Sequence, residues 1–489
     1  MNDKPALVWF DRDLRLADNA ALRNAAATGS PILPVFVWSP EEEAPWAPGG
    51  ASRWWLHQSL EQLEGALAAR NSRLILRRGP AAESLLSIAA ETGAASVFWN
   101  RRYEPAALAR DRRVERALGT AGISSEICPG NVLFEPGTVL NGSGKPFQVF
   151  TAFWSACLGL PAPNEPCAPP AHLRAPLHWP SSLVLSDLRL EPEIDWAGGL
   201  RETWKPGEAG ASRQLKEFLH RAINSYAGDR DRPDRRGTSR LSPYLHFGEI
   251  SARQIWHAVR RARRAGGEAF LRELAWREFS YHLLFHFPRT AQEPLRPEFR
   301  HFRWRVEERA LQAWTRGQTG YPLVDAGMRE LWHTGWMHNR VRMLAASFLV
   351  KHLLIPWQEG AAWFWDTLVD ADLANNTMGW QWTAGCGADA APYFRIFNPV
   401  LQGEKFDPEG AYIRRWVPEL ASLPAAWIHQ PWRALAGSAK DYPRPIVEHQ
   451  AARKRALAAL ASMRKQPGGL AAGGMTAPQS VGRPRRPSQ

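Results

Sequence analysis

Residues 5–38, PALVWFDRDLRLADNAALRNAAATGSPILPVFVW, decide the fold of the first half of the chain. Two short apolar runs, 7–10 and 31–38, flank an amphipathic stretch at 19–27, a pattern that predicts strand, helix and strand. The alternation continues with predicted strands at 73–76, 96–99 and 125–128 and predicted helices at 52–69, 81–91 and 105–121. Strands that alternate with helices form parallel sheets, so residues 1–135 are predicted to be a doubly wound α/β domain.

The second half has a different pattern. No GxGxxG follows the first strand, so the usual dinucleotide-binding fingerprint is absent. Proline is frequent at 160–207, which predicts an irregular connector, and we assign 136–208 to a linker. Helical patterns follow at 211–226, 251–264, 268–287, 324–333, 339–354 and 361–368. We therefore predict an all-α domain over 209–465 and a disordered basic tail over 466–489.

Composition narrows the class of partner. The 489 residues include 61 Lys and Arg against 48 Asp and Glu, a net charge of +13. This excess favours a polyanion, either nucleic acid or an anionic membrane surface. Four scattered cysteines form no CxxC pair, which argues against a metal cluster and fits a reducing, cytoplasmic compartment. No leader and no membrane-spanning stretch is expected, and nothing requires more than a monomer.

Tryptophan is unusually abundant, with 24 residues, of which 14 follow residue 250. Packing in a large core is one explanation. Stacking on nucleic-acid bases and single-electron transfer are two others, because the indole ring serves both. Composition leaves these alternatives open.

Two polar motifs lie in the earlier part of the helical region. The first is GTSRLS at 237–242, preceded by Tyr226 and an arginine-rich run at 230–236. Hydroxyls and backbone amides at a helix start can hold phosphate, although they can also simply cap the helix. The second contains Glu273, Trp276 and Arg277 on one predicted helical face. A solvated Glu–Arg bridge, four residues apart, is the simpler interpretation of that motif.

Two further motifs lie nearer the carboxyl end. WMHNRVRM at 336–343 could clamp phosphate or pair with a carboxylate. DADLANNTMGWQW at 370–382 contains two acids, two amides and two tryptophans, which packing alone does not explain. Its aspartates suggest a magnesium site, but no phosphoryl-transfer motif accompanies them.

Together these motifs resemble the photolyase/cryptochrome family. TSRLS, WREF, TGWMHNRVRM and DADLANNTMGWQW occur in the order and spacing of that family, and the resemblance covers about residues 5–455. WSPEEE at 38–43, SRWWLHQSL at 52–60 and FWDTLVDADLANN at 364–376 are similar to its third class. That class contains photolyases that repair cyclobutane pyrimidine dimers and is close to the plant cryptochromes.

The resemblance implies FAD bound in the helical domain. The implied FAD-binding residues are Tyr226, Thr238, Ser239, Arg240, Leu241, Ser242, Arg277, Arg342, Asp370, Ala371, Asp372 and Asn376. Asn376 would face the flavin N5, where a neutral amide favours the anionic reduced flavin. Plant cryptochromes carry aspartate at that position, so Asn376 favours repair over signalling.

The resemblance also implies how damaged DNA is bound and repaired. A pyrimidine dimer in UV-damaged DNA would be flipped out and held by Glu273, Trp276, Asn339, Arg340, Met343 and Trp382. Excited reduced FAD would donate one electron to the dimer, with Glu273 and Asn376 in catalytic roles. Trp380, Trp357 and Trp304 would conduct electrons to oxidised flavin. Trp314, Trp332, Trp363 and Trp365 are then expected to be core residues.

The resemblance leaves an antenna and three rival functions to consider. Third-class members are expected to use 5,10-methenyltetrahydrofolate, for which the acidic loop 41–43 with Trp38 and Trp54 is a candidate site. The rivals are a cryptochrome-type blue-light photoreceptor, a (6-4) photoproduct repair enzyme and a non-catalytic basic nucleic-acid-binding protein. The (6-4) enzymes carry histidine where this chain has Asn339 and Arg340.

Overall fold

The computed structural model describes residues 4–390, 394–435 and 439–464; the predicted tail at 466–489 lies outside them. Its sheet has five parallel strands in the order β3-β2-β1-β4-β5. They are β1 (Ala6–Phe10), β2 (Ile32–Trp38), β3 (Ile75–Arg78), β4 (Ser96–Asn100) and β5 (Ser124–Cys128). The intervening helices are α1 (Ala20–Ala27), α2 (Gly50–Ala68), α3 (Ala81–Thr92) and α4 (Pro105–Thr120). The predicted doubly wound α/β domain is confirmed.

Burial explains why the strands are apolar runs rather than alternating patterns. Every residue of β1 and β2 is buried, because helices cover both faces of the sheet. The first helix starts where the sequence offers a cap: the Asn19 side chain accepts a hydrogen bond from the Leu22 amide.

The regular elements in the rest of the described chain are all helices. Its helices are α5 (Phe150–Leu158), α6 (Gly198–Thr203), α7 (Glu208–Arg221), α8 (Tyr226–Asp229), α9 (Ser242–His246), α10 (Ala252–Ala262), α11 (Gly267–His286), α12 (Glu308–Thr315), α13 (Pro322–Thr334), α14 (Asn339–Ser347), α15 (Trp357–Thr367), α16 (Leu373–Ala384), α17 (Pro399–Phe406), α18 (Ala411–Trp416), α19 (Ala425–Ile428) and α20 (His449–Arg464). Between α5 and α6 a 3₁₀ turn occupies Leu185–Leu188.

The helices differ from the sequence predictions at several points. The predicted helix at 211–226 is two helices, α7 and α8, and the predicted helix at 339–354 changes to π-helical geometry at Phe348–Leu353. No helical pattern predicts α16, which packs against α11, α14 and α15. Because α16 is covered on several sides, its apolar residues do not follow a single helical stripe.

The two domains are joined by direct backbone contacts. The Leu14 amide donates to the Phe247 carbonyl at 3.1 Å. Gly248 has a φ of +65°, and a Cβ there would come within 2.5 Å of the Asp13 Cα, so glycine permits this approach. The buried carboxyl group of Glu249 lies 2.5 Å from the Ser59 hydroxyl of α2 and accepts a hydrogen bond from the Gly207 amide at 2.6 Å. The seam is therefore a packed polar interface.

The described residues contain neither a helix that could cross a membrane nor a cluster of side chains that could hold a metal ion. None of the helices there has the length and apolar character to cross a membrane. Nor does that part of the chain group three or more His, Cys, Asp or Glu side chains so that they could hold a metal ion.

Candidate active site

The predicted motifs converge around α16, against which α11 and α14 pack. At its start, Arg342 of α14 forms an ion pair with Asp370, with its Nη2 at 3.0 and 2.9 Å from the two carboxylate oxygens. The Nε of Arg342 donates to the Met337 carbonyl at 2.7 Å. The Nε and Nη2 atoms of the guanidinium are thus both held by hydrogen bonds. Of the two partners that the motif suggested, a phosphate or a carboxylate, the structure shows the carboxylate.

Asp372 caps α16. Its Oδ1 accepts hydrogen bonds from the Asn375 amide at 2.8 Å and the Asn375 side chain at 2.7 Å. Its Oδ2 accepts from the Tyr281 hydroxyl at 2.5 Å. Burial would raise the pKa of Asp372, but its interactions with His246, Arg277 and Tyr281 outweigh burial and hold that pKa well below the usual range. Asp372 is therefore a buried anion at neutral pH.

Arg277 does not form the bridge to Glu273 that the four-residue spacing suggested. It pairs with Glu278 at 3.0 Å and lies over the Tyr281 ring, 4.7 Å from its centroid. Glu278 is buried and also accepts hydrogen bonds from the backbone amides of Leu133 and Phe134. The solvated-bridge interpretation is wrong because Arg277 is itself buried.

The amide of Asn376 is oriented by the neighbouring helix. Its Nδ2 donates to the Ala361 carbonyl of α15 at 3.1 Å, and its side chain is half-buried. A group with one end held in this way presents a fixed polar edge rather than a rotating one.

The loop 238–242 fits a phosphate-bearing ligand. Arg240 adopts a left-handed φ of +52°, and its guanidinium lies between the Trp204 and Trp336 rings at 4.6 and 4.8 Å. Its buried Nε has no hydrogen-bond partner among the described residues. An unpartnered buried donor, in the same loop as the hydroxyl residues Thr238 and Ser239, suits an anion.

Trp336 connects this loop with the acidic start of α16. Its indole Nε1 donates to the Ser242 hydroxyl at 3.4 Å, and Arg342 lies 5.8 Å from its ring centroid. Tyr226 is buried and packs on Phe270, with ring centroids 5.3 Å apart. Leu241 and Ala371 are buried, so their side chains are packed rather than free to contact solvent.

A chain of alternating charges connects α11 with α14. Glu273 pairs with Arg230, Arg230 faces Asp231 at 4.0 Å, and Asp231 pairs with Arg340 at 2.8 Å. Asn339 is exposed next to Arg340, and its side-chain amide lies 4.0 Å from the Met343 sulfur. Glu273 and Arg340 are thus linked through Arg230 and Asp231, and Asn339 separately contacts Met343.

The two predicted stacking tryptophans have different neighbours. Trp276 stacks on Phe150, with ring centroids 3.7 Å apart and planes 9° apart, so one of its faces is already covered. Trp382 is half-buried, and the Arg395 guanidinium lies 5.7 Å from its ring. Lys351 donates to the Arg395 carbonyl, and burial lowers the pKa of the Lys351 ammonium to about 7.

The three predicted electron-carrying tryptophans belong to one hydrophobic cluster. Trp380 and Trp357 are buried at 2% exposure each, whereas Trp304 is half-buried at the cluster's edge. The rings of Phe364 and Trp314 pack on Trp380 at 5.0 and 6.2 Å.

Of the tryptophans expected in the core, Trp314 is fully buried, and Trp363 and Trp365 are half-buried. Trp332 is 64% exposed, so that expectation is wrong for Trp332. It stacks on Trp363 at the surface, with their planes 10° apart.

Sequence reasoning missed several residues that shape this site: His246, Phe150, Tyr281, Asp231 and Lys351. Tyr281 follows Arg277 by one helical turn, a spacing that could have revealed it. Phe150 carries no local signal, since it meets Trp276 only through the tertiary fold.

The acidic loop considered for the antenna is occupied by internal contacts. Glu42 pairs with Arg113 at 2.9 Å, and Glu43 pairs with Arg102 at 3.1 Å. Trp38 and Trp54 are buried in the core of the α/β domain.

Comparison with known proteins shows similarity to photolyases and cryptochromes. Residues 6–171 match the family model described as DNA photolyase, and 270–462 match the FAD binding domain of DNA photolyase. The chain is 48% identical over 474 residues to a deoxyribodipyrimidine photo-lyase of Agrobacterium fabrum, covering 94% of this chain and 98% of that one. It is 41% identical to cryptochrome-1 of Arabidopsis thaliana, covering 94% of this chain and 70% of that one.

A solved structure extends the comparison to the fold. A bacterial class III photolyase from Agrobacterium tumefaciens superposes with a TM-score of 0.92 at 47% identity, covering 95% of this chain and 99% of that one.

Proposed function

The chain belongs to the DNA photolyase family, and from that premise we propose that it repairs cyclobutane pyrimidine dimers in DNA under light. It is a carbon–carbon lyase, and its partner is UV-damaged DNA. The observation that carries the proposal is the arrangement on α16. The helix begins at the buried anion Asp372 and continues through the oriented amide of Asn376 to Trp382, beside Glu273 and Trp276 of α11.

We propose that FAD is held between the loop 238–242 and α16. Arg240, Thr238 and Ser239 would contact its phosphates, with Tyr226, Leu241 and Ser242 completing that side. The Arg342–Asp370 pair, Asp372, Ala371, Arg277 and Asn376 would contact the flavin side. When bound, reduced FAD supplies the electron that light drives into the dimer. The unpartnered Nε of Arg240 supports the phosphate assignment.

The protein's own contribution to repair is positioning. Trp276 and Trp382 would stack on the flipped-out pyrimidines, each contact contributing roughly 1–3 kcal/mol, which offsets the few kcal/mol that unstacking costs. Phe150 fixes the plane of Trp276, so the wall is rigid before DNA binds. Glu273, whose carboxylate is paired with Arg230, would accept a hydrogen bond from the pyrimidine edge. Asn339, Arg340 and Met343 would complete the pocket.

We further propose an electron path through Trp380, Trp357 and Trp304, running from the buried interior to the half-buried edge of one cluster. The gradient in exposure supports it. We also propose a 5,10-methenyltetrahydrofolate antenna in the α/β domain, at a place other than Glu42 and Glu43, whose carboxylates are already paired.

The remaining proposals concern organisation and location. We propose that residues 136–208 link an antenna domain to a catalytic domain over 209–465, and that the protein is a cytoplasmic monomer. All four cysteines are unpaired, which agrees with a reducing compartment.

The rival function is a blue-light photoreceptor of the cryptochrome type. The identity to the photo-lyase, 48%, exceeds that to the plant cryptochrome, 41%. Asn376, where plant cryptochromes carry aspartate, also favours repair.

An illumination assay tests the proposal. Purified protein under reducing conditions is mixed with dimer-containing single- and double-stranded DNA, and restored thymines are counted in light and in darkness. Repair in light alone is expected; failure to restore thymines in both substrates would overturn it. Trp276→Ala is expected to weaken binding of dimer-containing DNA roughly tenfold or more. The control Trp332→Ala, at an exposed tryptophan outside the pocket, should bind like the unmodified protein.

A further inference from the structure

The loop after β1 reaches from the α/β domain into the candidate flavin site. Arg12 lies over the Phe247 ring, 4.9 Å from its centroid, and its Nη1 is 2.9 Å from Nε2 of His246. Gly248 permits this approach, because a Cβ at its position would come within 2.5 Å of the Asp13 Cα. His246, the last residue of α9, is buried at this seam.

Contact with Arg12 determines which ring nitrogen of His246 carries the proton. A guanidinium has only N–H donors and remains protonated, so the nitrogen that it contacts must accept. His246 Nε2 is therefore unprotonated, and the proton of the neutral ring is on Nδ1. Burial and the charge of Arg12 lower the pKa of His246, which keeps the ring neutral.

The protonated nitrogen faces the buried anion. His246 Nδ1 lies 3.8 Å from Oδ2 of Asp372, longer than a hydrogen bond but within charge–dipole reach. The same oxygen accepts from the Tyr281 hydroxyl. An N–H dipole directed at a carboxylate stabilises its charged form, whereas a lone pair would destabilise it. The tautomer of His246 thus affects the charge and orientation of Asp372.

We propose that Arg12 is a positioning residue for the flavin site: it fixes the Nδ1–H tautomer of His246, which in turn holds Asp372 as an oriented anion. The α/β domain thereby completes the cofactor site of the helical domain. This inference rests on the proposed function only in taking Asp372 as a flavin contact. The link from Arg12 through His246 to Asp372 stands on the geometry of the chain itself.

The tautomer can be measured without any repair assay. The full chain, labelled with ¹⁵N-histidine, is observed by long-range ¹H–¹⁵N correlation, and His246→Gln assigns the His246 signals by their loss. The expected result is a protonated-type shift for Nδ1 and an acceptor-type shift for Nε2. In Arg12→Leu the Nε2 shift should move toward the protonated value, because the ring can then take a proton there. Arg15→Leu removes another arginine of the same loop, which donates to the Gly248 carbonyl, and should leave the His246 shifts unchanged.

A double-mutant cycle on FAD affinity tests whether Arg12 acts through His246. Arg12→Leu should weaken FAD binding on the order of tenfold and should add nothing further in the His246→Gln background. A protonated Nε2 in the unmodified protein, or additive losses in the cycle, would overturn the proposal. Because tautomer and FAD affinity are measured separately from dimer repair, failure of this inference is distinguishable from failure of the proposed function. The signals of the unmodified protein decide the first point even if Arg12→Leu does not fold.

Discussion

Replacing Gly360 with alanine should disturb Trp380, the innermost of the proposed electron carriers. Gly360 lies on α15, where a Cβ would come within 2.6 Å of the Trp380 Cζ2 and of the Leu349 Cδ2, and closer still to the Trp380 Cη2. Ordinary contact begins at 3.4 Å. The rings of Phe364 and Trp314 pack on the indole, so a shift of the indole would disturb them as well.

The size of the effect follows from two opposing contributions. Exchanging glycine for alanine inside a helix stabilises by about 1 kcal/mol, whereas overpacking a dense core costs about 1–3 kcal/mol. The difference is a net loss of about 0–2 kcal/mol in the free energy of unfolding. Because the shortest contact is with the rigid indole, we expect the upper half of that range, about 1–2 kcal/mol. Displacement of the indole should also slow light-driven reduction of the oxidised flavin.

Urea unfolding and photoreduction kinetics measure the two effects. The matched control is Gly65→Ala in α2, where a Cβ meets nothing within 4 Å, so that variant should be equally or more stable. Repair by chemically reduced Gly360→Ala should remain close to normal, since electron supply is then bypassed. If Gly360→Ala were as stable as Gly65→Ala and photoreduced normally, the close packing of α15 on Trp380 would be refuted.

Three further predictions follow from buried or partly buried groups. Burial raises the pKa of Glu249 to about 8, so the folded protein keeps a proton that the unfolded chain releases above about pH 4.5. The free energy of unfolding should therefore fall as pH rises between these values, by at most about 1.4 kcal/mol per pH unit. Glu249→Gln should flatten that slope in urea unfolding. Asp370→Asn should lower the free energy of unfolding by about 1–3 kcal/mol in the same assay, which is less than for a fully buried pair because the Arg342 side chain is 24% exposed. Equal stability of the variant would contradict the pairing. As a control, Asp195→Asn at an exposed ion pair should leave stability unchanged. Trp304→Phe should slow photoreduction but spare repair by chemically reduced protein, and equal loss of both would exclude Trp304 from the electron path.

The sheet was predictable because each strand is a short apolar run between turn signals. Helices on both faces of the sheet bury such strands completely, which gives the run its uniform apolar character. α16 was not predictable as a helix from periodicity, because α11, α14 and α15 surround it and remove the polar stripe. Its chemistry was nevertheless visible, since Asp372, Asn376 and Trp382 are residues that packing alone does not select.

The sequence predicted which residues are in the site better than it predicted which side chains they pair with. Spacing suggested Glu273 with Arg277, but Glu273 pairs with Arg230 and Arg277 pairs with Glu278. Helical spacing gives neighbours on an isolated helix, whereas burial of Arg277 selects the carboxylate that is also buried. Trp332 shows the reverse error: tryptophan usually packs inside, yet here it stacks on Trp363 at the surface.

The candidate site depends on both domains, and this limits what the helical domain can do alone. Glu278, which neutralises Arg277, is held by backbone amides of Leu133 and Phe134, from the segment that follows the sheet. On another side, Arg12 contacts His246, which faces Asp372. Removing the α/β domain would leave Glu278 with unmet acceptors and would free His246 to change tautomer. A buried carboxylate without its donors becomes harder to keep charged, so the anions that surround the proposed flavin site depend on contacts across the seam.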